Sequence, residues 1–290
     1  AEGERQLRAL IADGLPESIH DTWYQARTAG VGACALAALD MALWDLRAKQ
    51  AGMPLTRLLG LPRRAVVSSL TVGINPPEVV HERIPLLLAR GARALKIKLG
   101  SSDGIEADQA MFDAVLTATR GRDDVALRVD ANGGWSLADA QRMLPWLAER
   151  GVEYVEQPLA EGCEDQLPDL FRQRALPLFV DESCRFSTDV PGLADRVDGV
   201  NLKLMKCGGI SEALRIVACA RAFGLKTMIG CMGESSIAIA AGASLSALFH
   251  YIDLDSHLNL DPDPAEGAPF VDGVTLPADR PGHGGVPTHA

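Results

Sequence analysis

The feature that most constrains the fold of this 290-residue chain is a series of eight short β-type runs separated by helix-length segments. The runs are SSLTVGI (68–74), ALKIKLG (94–100), VALRVDA (125–131), VEYVEQP (152–158), PLFVDES (177–183), GVNLKLM (199–205), LKTMIGC (225–231) and HYIDLD (250–255). Strands that alternate with single helices indicate β-α units and a parallel sheet, because parallel neighbours need a crossover connection. Eight such units close into a barrel, so the sequence predicts an α/β barrel.

The two ends of the chain have a different pattern. Residues 28–50 are rich in Ala and Leu at helical spacing, and Gly52 and Pro54 follow where a helix would stop. Asp40 and Asp45 interrupt the apolar pattern of this segment. The sequence therefore predicts helices before the barrel, whereas the Pro- and Gly-rich C-terminal segment predicts little regular structure.

Composition and charge exclude several classes of protein. The 38 acidic and 28 basic residues give a net charge of −10, and the sequence contains no basic patch, so a nucleic-acid or membrane-surface partner is not expected. No apolar run reaches the ~18 residues of a membrane span, and the first residues lack the pattern of a signal peptide. Six scattered cysteines without CxxC pairs indicate a reducing compartment, so the prediction is a cytoplasmic protein.

Charged residues gather at the carboxyl ends of the β-type runs. They are Lys96, Lys98, Asp130, Glu156, Asp181, Glu182, Lys203, Lys206, Asp253 and Asp255. A single strand-end carboxylate commonly only caps the following helix. In a parallel barrel, however, all these strand ends meet on one face, which is where active sites are built. Packing alone gives no reason to collect so much charge there, so the sequence predicts an active site.

Three of these carboxylates, Asp130, Glu156 and Asp181, lie on consecutive runs. Together they offer hard oxygen ligands and leave coordination positions open, which suits Mg²⁺. No histidine lies at these three strand ends, so a transition metal fits less well. The alternative interpretation is a set of unrelated helix caps and surface acids. The pattern favours a magnesium site.

Lysines on two opposite strands have the placement of a pair of acid–base groups that face each other across a metal. Lys96 and Lys98 are two residues apart on one run, so their side chains share a face. Lys203 belongs to the sixth run and would lie on the opposite side of a barrel. Crowding by cations and partial burial are expected to lower the pKa of such lysines and to make a neutral amine available as a base. A solvated strand edge is the alternative for the KIK sequence.

The ordered sequences KIK, DAN, EQP, DES and KLMKCGG resemble the enolase superfamily in its muconate-lactonizing branch. The segment ALDMALWDLRAKQAGMPLTRLLG is similar to the end of that branch's capping domain, and IDLDS and CMGES are similar to sequences of its dipeptide epimerases. The resemblance implies a modified TIM barrel of the (β/α)7β type with a partial α+β capping domain. It divides the chain into a helical capping part without its N-terminal strands (1–64), the barrel (65–260) and a C-terminal segment that packs back on the capping region (261–290).

The resemblance also implies roles for the strand-end residues. Asp130, Glu156 and Asp181 would bind one Mg²⁺ ion per subunit. Lys98 and Lys203 would be the acid–base catalysts on opposite faces of the substrate α-carbon. The residues that support these groups would be Lys96, Asn132 and Lys206.

The substrate-binding residues implied by the resemblance lie beside the catalysts. Asp253 and Asp255 would hold the free α-ammonium of a dipeptide, because an ammonium group needs fixed anionic partners. Lys96 would help to hold the substrate carboxylate. Thr71 and Cys231 match positions that contact substrate, although a cysteine at such a place is often only a packing residue. A solvated turn is the alternative for the DxD sequence.

These roles imply a magnesium-dependent dipeptide epimerase that acts on L-Ala-D/L-Glu or a related dipeptide. A substrate carboxylate on Mg²⁺ would stabilise the enediolate that forms when the adjacent α-proton leaves. One lysine would remove that proton and the other would return a proton to the opposite face. This 1,1-proton transfer inverts the α-carbon of the C-terminal residue. A homo-oligomer is a further expectation from the family.

Two alternatives stay open. A lyase of the o-succinylbenzoate synthase or muconate cycloisomerase type would use the same lysines and metal but would not need Asp253 and Asp255. A non-catalytic binding or scaffold protein would keep the fold without its lid. Family members carry antiparallel strands and loops before the point where this sequence starts, and those loops close over the site. We therefore expect a chain without them to leave its site open to water.

Overall fold

The first part of the chain is helical. The computed structural model describes residues 2–12, 14 and 16–288, so the outer limits of the predicted segments, Ala1 and Ala290, lie outside the described residues. The helices are α1 (Glu2–Leu10), α2 (Ile19–Thr28), α3 (Ala33–Gln50) and α4 (Leu55–Leu58). Ser18 marks the start of α2, because its hydroxyl oxygen accepts a hydrogen bond from the Asp21 backbone N–H at 3.1 Å.

Eight parallel strands follow in chain order around one sheet. They are β1 (Leu70–Val72), β2 (Ala94–Lys98), β3 (Ala126–Asp130), β4 (Val152–Glu156), β5 (Leu178–Val180), β6 (Gly199–Lys203), β7 (Lys226–Gly230) and β8 (Tyr251–Ile252). Each strand lies within one of the eight predicted runs. A bridge between Ser68 and Ile252 brings β8 next to the segment before β1, so the sheet curls into a barrel. The predicted fold class is confirmed.

Helices connect the strands and cover the sheet. They are α5 (Pro77–Ala89), α6 (Ile105–Ala118), α7 (Leu137–Ala148), α8 (Leu167–Arg172), α9 (Val190–Leu193), α10 (Leu204–Cys207), α11 (Ile210–Ala222) and α12 (Ser236–Ala243), with 3₁₀ turns at Ser246–Leu248 and Ser256–Asn259. In α7 the buried residues Ala140, Met143, Leu144 and Leu147 follow helical spacing and pack in the main hydrophobic core. None of the described helices is long and apolar enough to cross a lipid bilayer.

The strands place apolar and polar side chains on opposite faces of the sheet. On β2, Leu95 and Ile97 pack in the core among the helices, whereas Lys96 and Lys98 point into the barrel. A layer of largely apolar side chains fills the barrel below the charged strand ends. It contains Tyr154, Phe179, Met228 and Tyr251. Most of these residues stand two positions before a charged residue and therefore share its face, so the layer closes the floor of the charged region.

The C-terminal segment is more ordered than its sequence suggests. It forms two short antiparallel pairs, in which β9 (Ala265–Glu266) pairs with β12 (Val286–Pro287) and β10 (Phe270–Val271) pairs with β11 (Val274–Thr275). The expectation of little regular structure is wrong here, because strands of two residues leave no periodic pattern in a sequence.

The C-terminal segment also lies against the N-terminal helices. Leu55 N donates a hydrogen bond to Gly282 O at 2.8 Å, and His283 N donates to Asp45 Oδ1 at 2.8 Å. These hydrogen bonds join the C-terminal segment to α3 and α4. The three domain boundaries given above stay predictions.

Candidate active site

The charged side chains predicted to form the site meet at the carboxyl end of the barrel. Ion pairs connect residues that are far apart in sequence: Lys96, Lys98, Asp130, Glu156, Asp181, Lys203, Lys206 and Asp253. Thr71, Cys231 and Asp255 lie beside them and line a cavity of about 200 Å³ together with Lys96 and Lys98. The fold therefore brings together residues from β1 to β8 at the opening at the carboxyl end of the barrel, which we call the mouth.

Lys96 is the most enclosed of the three predicted lysines, with 1% of its side chain exposed. Its Nζ lies 2.8 Å from Asp253 Oδ2, 2.8 Å from Glu156 Oε2 and 3.1 Å from Asp130 Oδ2. Burial on its own would lower the pKa of Lys96, but the charges of its carboxylate partners raise the pKa well above its usual value. Lys96 is therefore a fixed cation rather than a proton acceptor.

Two further lysines approach the mouth from opposite sides. Lys98 ends β2 and Lys203 ends β6, and these strands lie across the eight-stranded barrel from each other. Lys98 Nζ lies 2.6 Å from Asp130 Oδ2, and Lys203 Nζ lies 2.6 Å from Asp181 Oδ2. Each amine is therefore paired with a carboxylate that lies on the same side of the site.

The expectation of a lowered pKa is wrong for Lys203. Burial would lower the pKa of Lys203, but the charge of Asp181 raises the pKa above its usual value. Sequence reasoning treated the neighbouring lysines as the dominant charges. In the structure the nearest charge is a carboxylate 2.6 Å away, which favours the protonated amine.

Asp130, Glu156 and Asp181 are buried at the carboxyl ends of three adjacent strands. Asp130 and Glu156 end β3 and β4 and are register partners, and Asp181 directly follows β5. Burial and the charge of Asp130 raise the pKa of Glu156 to about 7. Burial would also raise the pKa of Asp181, but the charges of Lys206 and Lys203 hold it below its usual value. Lysine ammonium groups therefore balance much of this buried negative charge.

These three carboxylates have the donor chemistry of a site for a hard divalent cation. All their ligand atoms are oxygens, which Mg²⁺ prefers. Glu156 Oε2 and Asp181 Oδ2 are buried and accept no hydrogen bond of normal geometry, although a lysine Nζ lies within 2.8 Å of each. Within the described part of the chain no three acidic, His or Cys side chains are already grouped as metal ligands. The three carboxylates can bind such a cation once the oxygens that now pair with lysines turn toward it.

Two of the predicted supporting residues contact these carboxylates. Asn132 N donates to Asp130 Oδ1 at 2.9 Å, and a φ of 46° at Asn132 bends the backbone toward that oxygen. Lys206 Nζ donates to Asp181 Oδ1 at 2.6 Å and also contacts Asp181 O. Both contacts restrict the orientation of a carboxylate.

Sequence reasoning did not identify two further orienting residues. Asn201 Nδ2 donates to Glu156 Oε1 at 2.6 Å. Gln157 Oε1 accepts a hydrogen bond from Asp181 N at 2.8 Å. Asn201 stands two positions before Lys203 on β6, so strand alternation predicts that its side chain also faces the interior of the barrel.

Asp253 and Asp255 follow β8 and form one wall of the cavity. Asp255 Oδ2 accepts from Thr71 N at 2.7 Å, and Cys231 Sγ lies 3.8 Å from Asp255 Oδ1. Asp253 shares Oδ2 with Lys96, whereas its Oδ1 is buried without a hydrogen-bond partner. Burial and the charge of Asp253 raise the pKa of Asp255 to about 6. A cationic donor such as an ammonium group would satisfy the open oxygen.

Two family models match most of the chain. The model described as the mandelate racemase / muconate lactonizing enzyme N-terminal domain matches residues 1–60. The model described as enolase C-terminal domain-like matches residues 80–289. These matches confirm the resemblance that the sequence motifs indicate.

Curated relatives and solved structures are similar over nearly the whole chain. A hydrophobic dipeptide epimerase from Roseobacter litoralis is 75% identical over 290 residues, which are 100% of this chain and 84% of that protein. A dipeptide epimerase from Enterococcus faecalis, solved with Mg and L-Leu-L-Tyr, has a TM-score of 0.89 and 32% identity, covering 98% of this chain and 82% of that one. A dipeptide epimerase from Methylococcus capsulatus, solved with Mg and L-Arg-D-Lys, has a TM-score of 0.86 and 34% identity, covering 94% and 79%.

Proposed function

Because this chain belongs to the mandelate racemase / muconate lactonizing enzyme family and is an isomerase of the epimerase type, we propose that it is a magnesium-dependent epimerase of dipeptides with apolar side chains. The observation that carries this proposal is the placement of Lys98 and Lys203 on opposite sides of the mouth, each against a carboxylate. Inversion of a carbon centre needs two such groups, since a single base returns the proton to the face from which it came.

In the proposed reaction, one lysine removes the α-proton of the C-terminal residue and the other delivers a proton to the opposite face. The accepting lysine must begin as a neutral amine and the donating lysine as an ammonium group. After one inversion the two lysines have exchanged protonation states. Proton exchange with solvent, or a turnover from the product epimer, restores the starting states.

Asp130, Glu156 and Asp181 would hold Mg²⁺, which supplies Lewis-acid stabilisation of the negative charge that develops beside the α-carbon. We propose one ion per subunit, because these three carboxylates would form one binding site. Asn201 and Lys206 keep two of these carboxylates oriented through contacts of 2.6 Å. Assembly into a homo-oligomer and a cytoplasmic location stay predictions from the sequence.

The cavity favours apolar side chains over the glutamate side chain of L-Ala-D/L-Glu. Asp253 and Asp255 form an anionic wall that suits the free ammonium group of a dipeptide. Lys96 and Lys98 also line the cavity, but Lys96 is paired with Asp253 at 2.8 Å and Lys98 is assigned to proton transfer at the α-carbon, so neither is available for an additional acidic side chain. Met232 adds an exposed apolar side chain to the lining. L-Ala-D/L-Glu is therefore the second candidate substrate.

Deuterium exchange tests this function. The protein is incubated in D₂O with Mg²⁺ and L,L-dipeptides that end in an apolar residue or in Glu, and mass gain at the C-terminal α-carbon is followed by mass spectrometry. We expect deuterium incorporation and appearance of the second epimer for the apolar dipeptides. A chelated sample and the double variant Lys98→Ala/Lys203→Ala should show neither. Lys226→Ala, which removes an exposed lysine at the amino end of β7, is the matched control and should retain activity.

Each other outcome would change the assignment. A folded protein that adds deuterium to no dipeptide would contradict the proposal and favour the lyase or the non-catalytic alternative. Incorporation with L-Ala-L-Glu alone would retain the epimerase but reject the apolar substrate class. Full activity in the chelated sample would reject the role of Mg²⁺.

A further inference from the structure

Two buried carboxylates outside the proposed site contact the segments that follow the two lysines. Asp40 lies in the middle of α3 and Asp108 lies in the first turn of α6. Their exposed fractions are 1% and 2%. The proposed reaction uses neither side chain, and each accepts several hydrogen bonds from a neighbouring loop or helix start. Their contacts show what each one holds in place.

Asp40 binds the start of α11, shortly after the turn that contains Lys206. Its Oδ2 accepts a hydrogen bond from Ser211 N at 2.9 Å, and its Oδ1 accepts one from Ser211 Oγ at 2.5 Å. The same hydroxyl oxygen accepts from Trp44 Nε1 at 3.0 Å. These bonds tie α3 to the segment that follows Lys203 in the chain.

A close approach of the N-terminal helices also explains the two glycines after α10. Trp23 Nε1 donates to Gly208 O at 2.8 Å. At Gly209, where φ is 110°, an added Cβ would lie only 2.5 Å from Asp40 Oδ2. Because α2 and α3 lie directly on this backbone, a change in their contacts would move α10, and α10 begins immediately after Lys203.

Asp108 has the corresponding arrangement beside Lys98. Its Oδ2 accepts from Gly100 N at 2.9 Å, and its Oδ1 accepts from Ser101 N at 2.9 Å. Trp135 Nε1, from the loop after β3, also donates to Oδ2 at 2.8 Å. This single carboxylate therefore holds the backbone two residues after Lys98 and connects it to the next loop around the barrel.

Packing alone does not account for a buried carboxylate, because its removal from water costs free energy. Burial raises the pKa of Asp40 to about 6, even though hydrogen bonds from Ser211 lower it. A carboxylate does accept several N–H and O–H donors at once, with stronger bonds than a neutral acceptor would form. A buried carboxylate therefore fixes the positions of the N–H and O–H groups that donate to it.

We propose that Asp40 and Asp108 are positioning residues that each hold one of the two lysines, Asp40 for Lys203 and Asp108 for Lys98. The inference rests on the proposed function, in which the two lysines act on opposite faces of the substrate. A lysine on one side reaches the α-proton of only one epimer. A displaced lysine therefore slows exchange from one epimer, whereas weaker metal binding or partial unfolding slows exchange from both.

The test measures α-proton exchange with D₂O separately for the L,L and L,D epimers of one apolar dipeptide, at saturating Mg²⁺ and substrate. Lys98→Ala and Lys203→Ala first show which epimer each lysine serves. We expect Asp40→Asn to slow exchange about ten-fold from the epimer that Lys203 serves, and Asp108→Asn to slow it by a similar factor from the other epimer only. Asp195→Asn, at an exposed carboxylate, is the matched control and leaves both rates unchanged.

Equal slowing of both epimers by either Asp variant would overturn the inference and leave the proposed function intact. If the unmodified protein exchanges neither epimer, the proposed function fails and the inference fails with it. Where circular dichroism shows that an Asp variant does not fold, Trp23→Phe removes the bond to Gly208 and Trp135→Phe removes the bond to Asp108. These variants should slow the same single epimer, with Trp146→Phe as control, and equal slowing of both epimers would again overturn the inference.

Discussion

At the scale of single residues, the two aspartates of the cavity wall differ because their partners differ. Asp253 shares an oxygen with buried Lys96, so a fixed cation balances part of its charge. Asp255 instead accepts from neutral groups, the Thr71 backbone N–H and the Cys231 thiol. Burial raises the pKa of this thiol, which keeps it protonated. The charge of Asp255 therefore responds to solution pH near neutrality.

Binding of the substrate ammonium is expected to weaken as the pH falls below 6. Burial and the charge of Asp253 raise the pKa of Asp255 to about 6, so the carboxylate is charged above this pH and neutral below it. The KM for an apolar dipeptide should rise as the pH drops from 7 to 5. Asp255→Asn should raise KM about ten-fold at pH 7, because a charged partner contributes ~1.5 kcal/mol, and should remove most of this pH dependence. A variant whose KM rises with acidity as steeply as that of the unmodified protein would contradict this role.

At the scale of elements, the connection from β6 to α11 depends on two backbone conformations that favour glycine. Gly208 follows α10 with a φ of 87°, and Gly209 precedes α11 with a φ of 110°. Side chains of α2 and α3 also occupy the space that a Cβ would need at either position. Helix packing, together with backbone conformation, therefore explains this glycine pair.

Gly209→Ala is expected to destabilise the fold more than Gly224→Ala. Both glycines have a positive φ, of 110° and 73°, so an alanine strains the backbone by ~1–3 kcal/mol at Gly209, whose ψ is −165°, and by ~1–2 kcal/mol at Gly224. Only at Gly209 does the new Cβ also meet a neighbour, since the space around Gly224 is open. We expect an additional loss of about 2 kcal/mol at Gly209 in the free energy of unfolding measured in urea. Equal losses at the two positions would show that α3 does not press on this turn.

At the scale of the whole molecule, α3 connects the barrel to the C-terminal segment. Its Asp40 binds the start of α11, and its Asp45 accepts a hydrogen bond from His283 N at 2.8 Å. Lys49, one turn after Asp45, lies 2.6 Å from it. The two acidic residues that interrupt this apolar helix are thus two of the points at which it contacts other parts of the chain.

Loss of Asp45 should loosen the C-terminal segment and leave the barrel intact. Asp45→Ala removes the acceptor of the His283 backbone N–H, and an unpaired donor of this kind costs ~1–2 kcal/mol. We expect a lower free energy of unfolding and faster cleavage near residues 279–283 by a protease of broad specificity. Asp195→Ala, at an exposed position, is the control. Cleavage at an unchanged rate would show that the bond between Leu55 and Gly282 holds the segment without Asp45.

Local patterns were sufficient to predict most of the barrel. Strand alternation and regular spacing located all eight strands, and parallel strands bring their carboxyl ends to one face. That is why Asp130, Glu156 and Asp181 could be grouped before the structure was known. The two-residue strands of the C-terminal segment left no such pattern, and their pairing depends on contacts with distant parts of the chain.

The sequence by itself determined the barrel, the order of its strands and the set of charged residues at its mouth, because periodicity and spacing are properties of neighbouring residues. Only the tertiary structure decided that Lys203 lies against Asp181, which raises the pKa of Lys203 rather than lowering it. It also decided the partners of Asp40, whose hydrogen bonds reach Ser211, 171 positions away in the chain. Charge balance and hydrogen bonding depend on distances of a few ångströms between atoms that meet only on folding, so no local pattern encodes them.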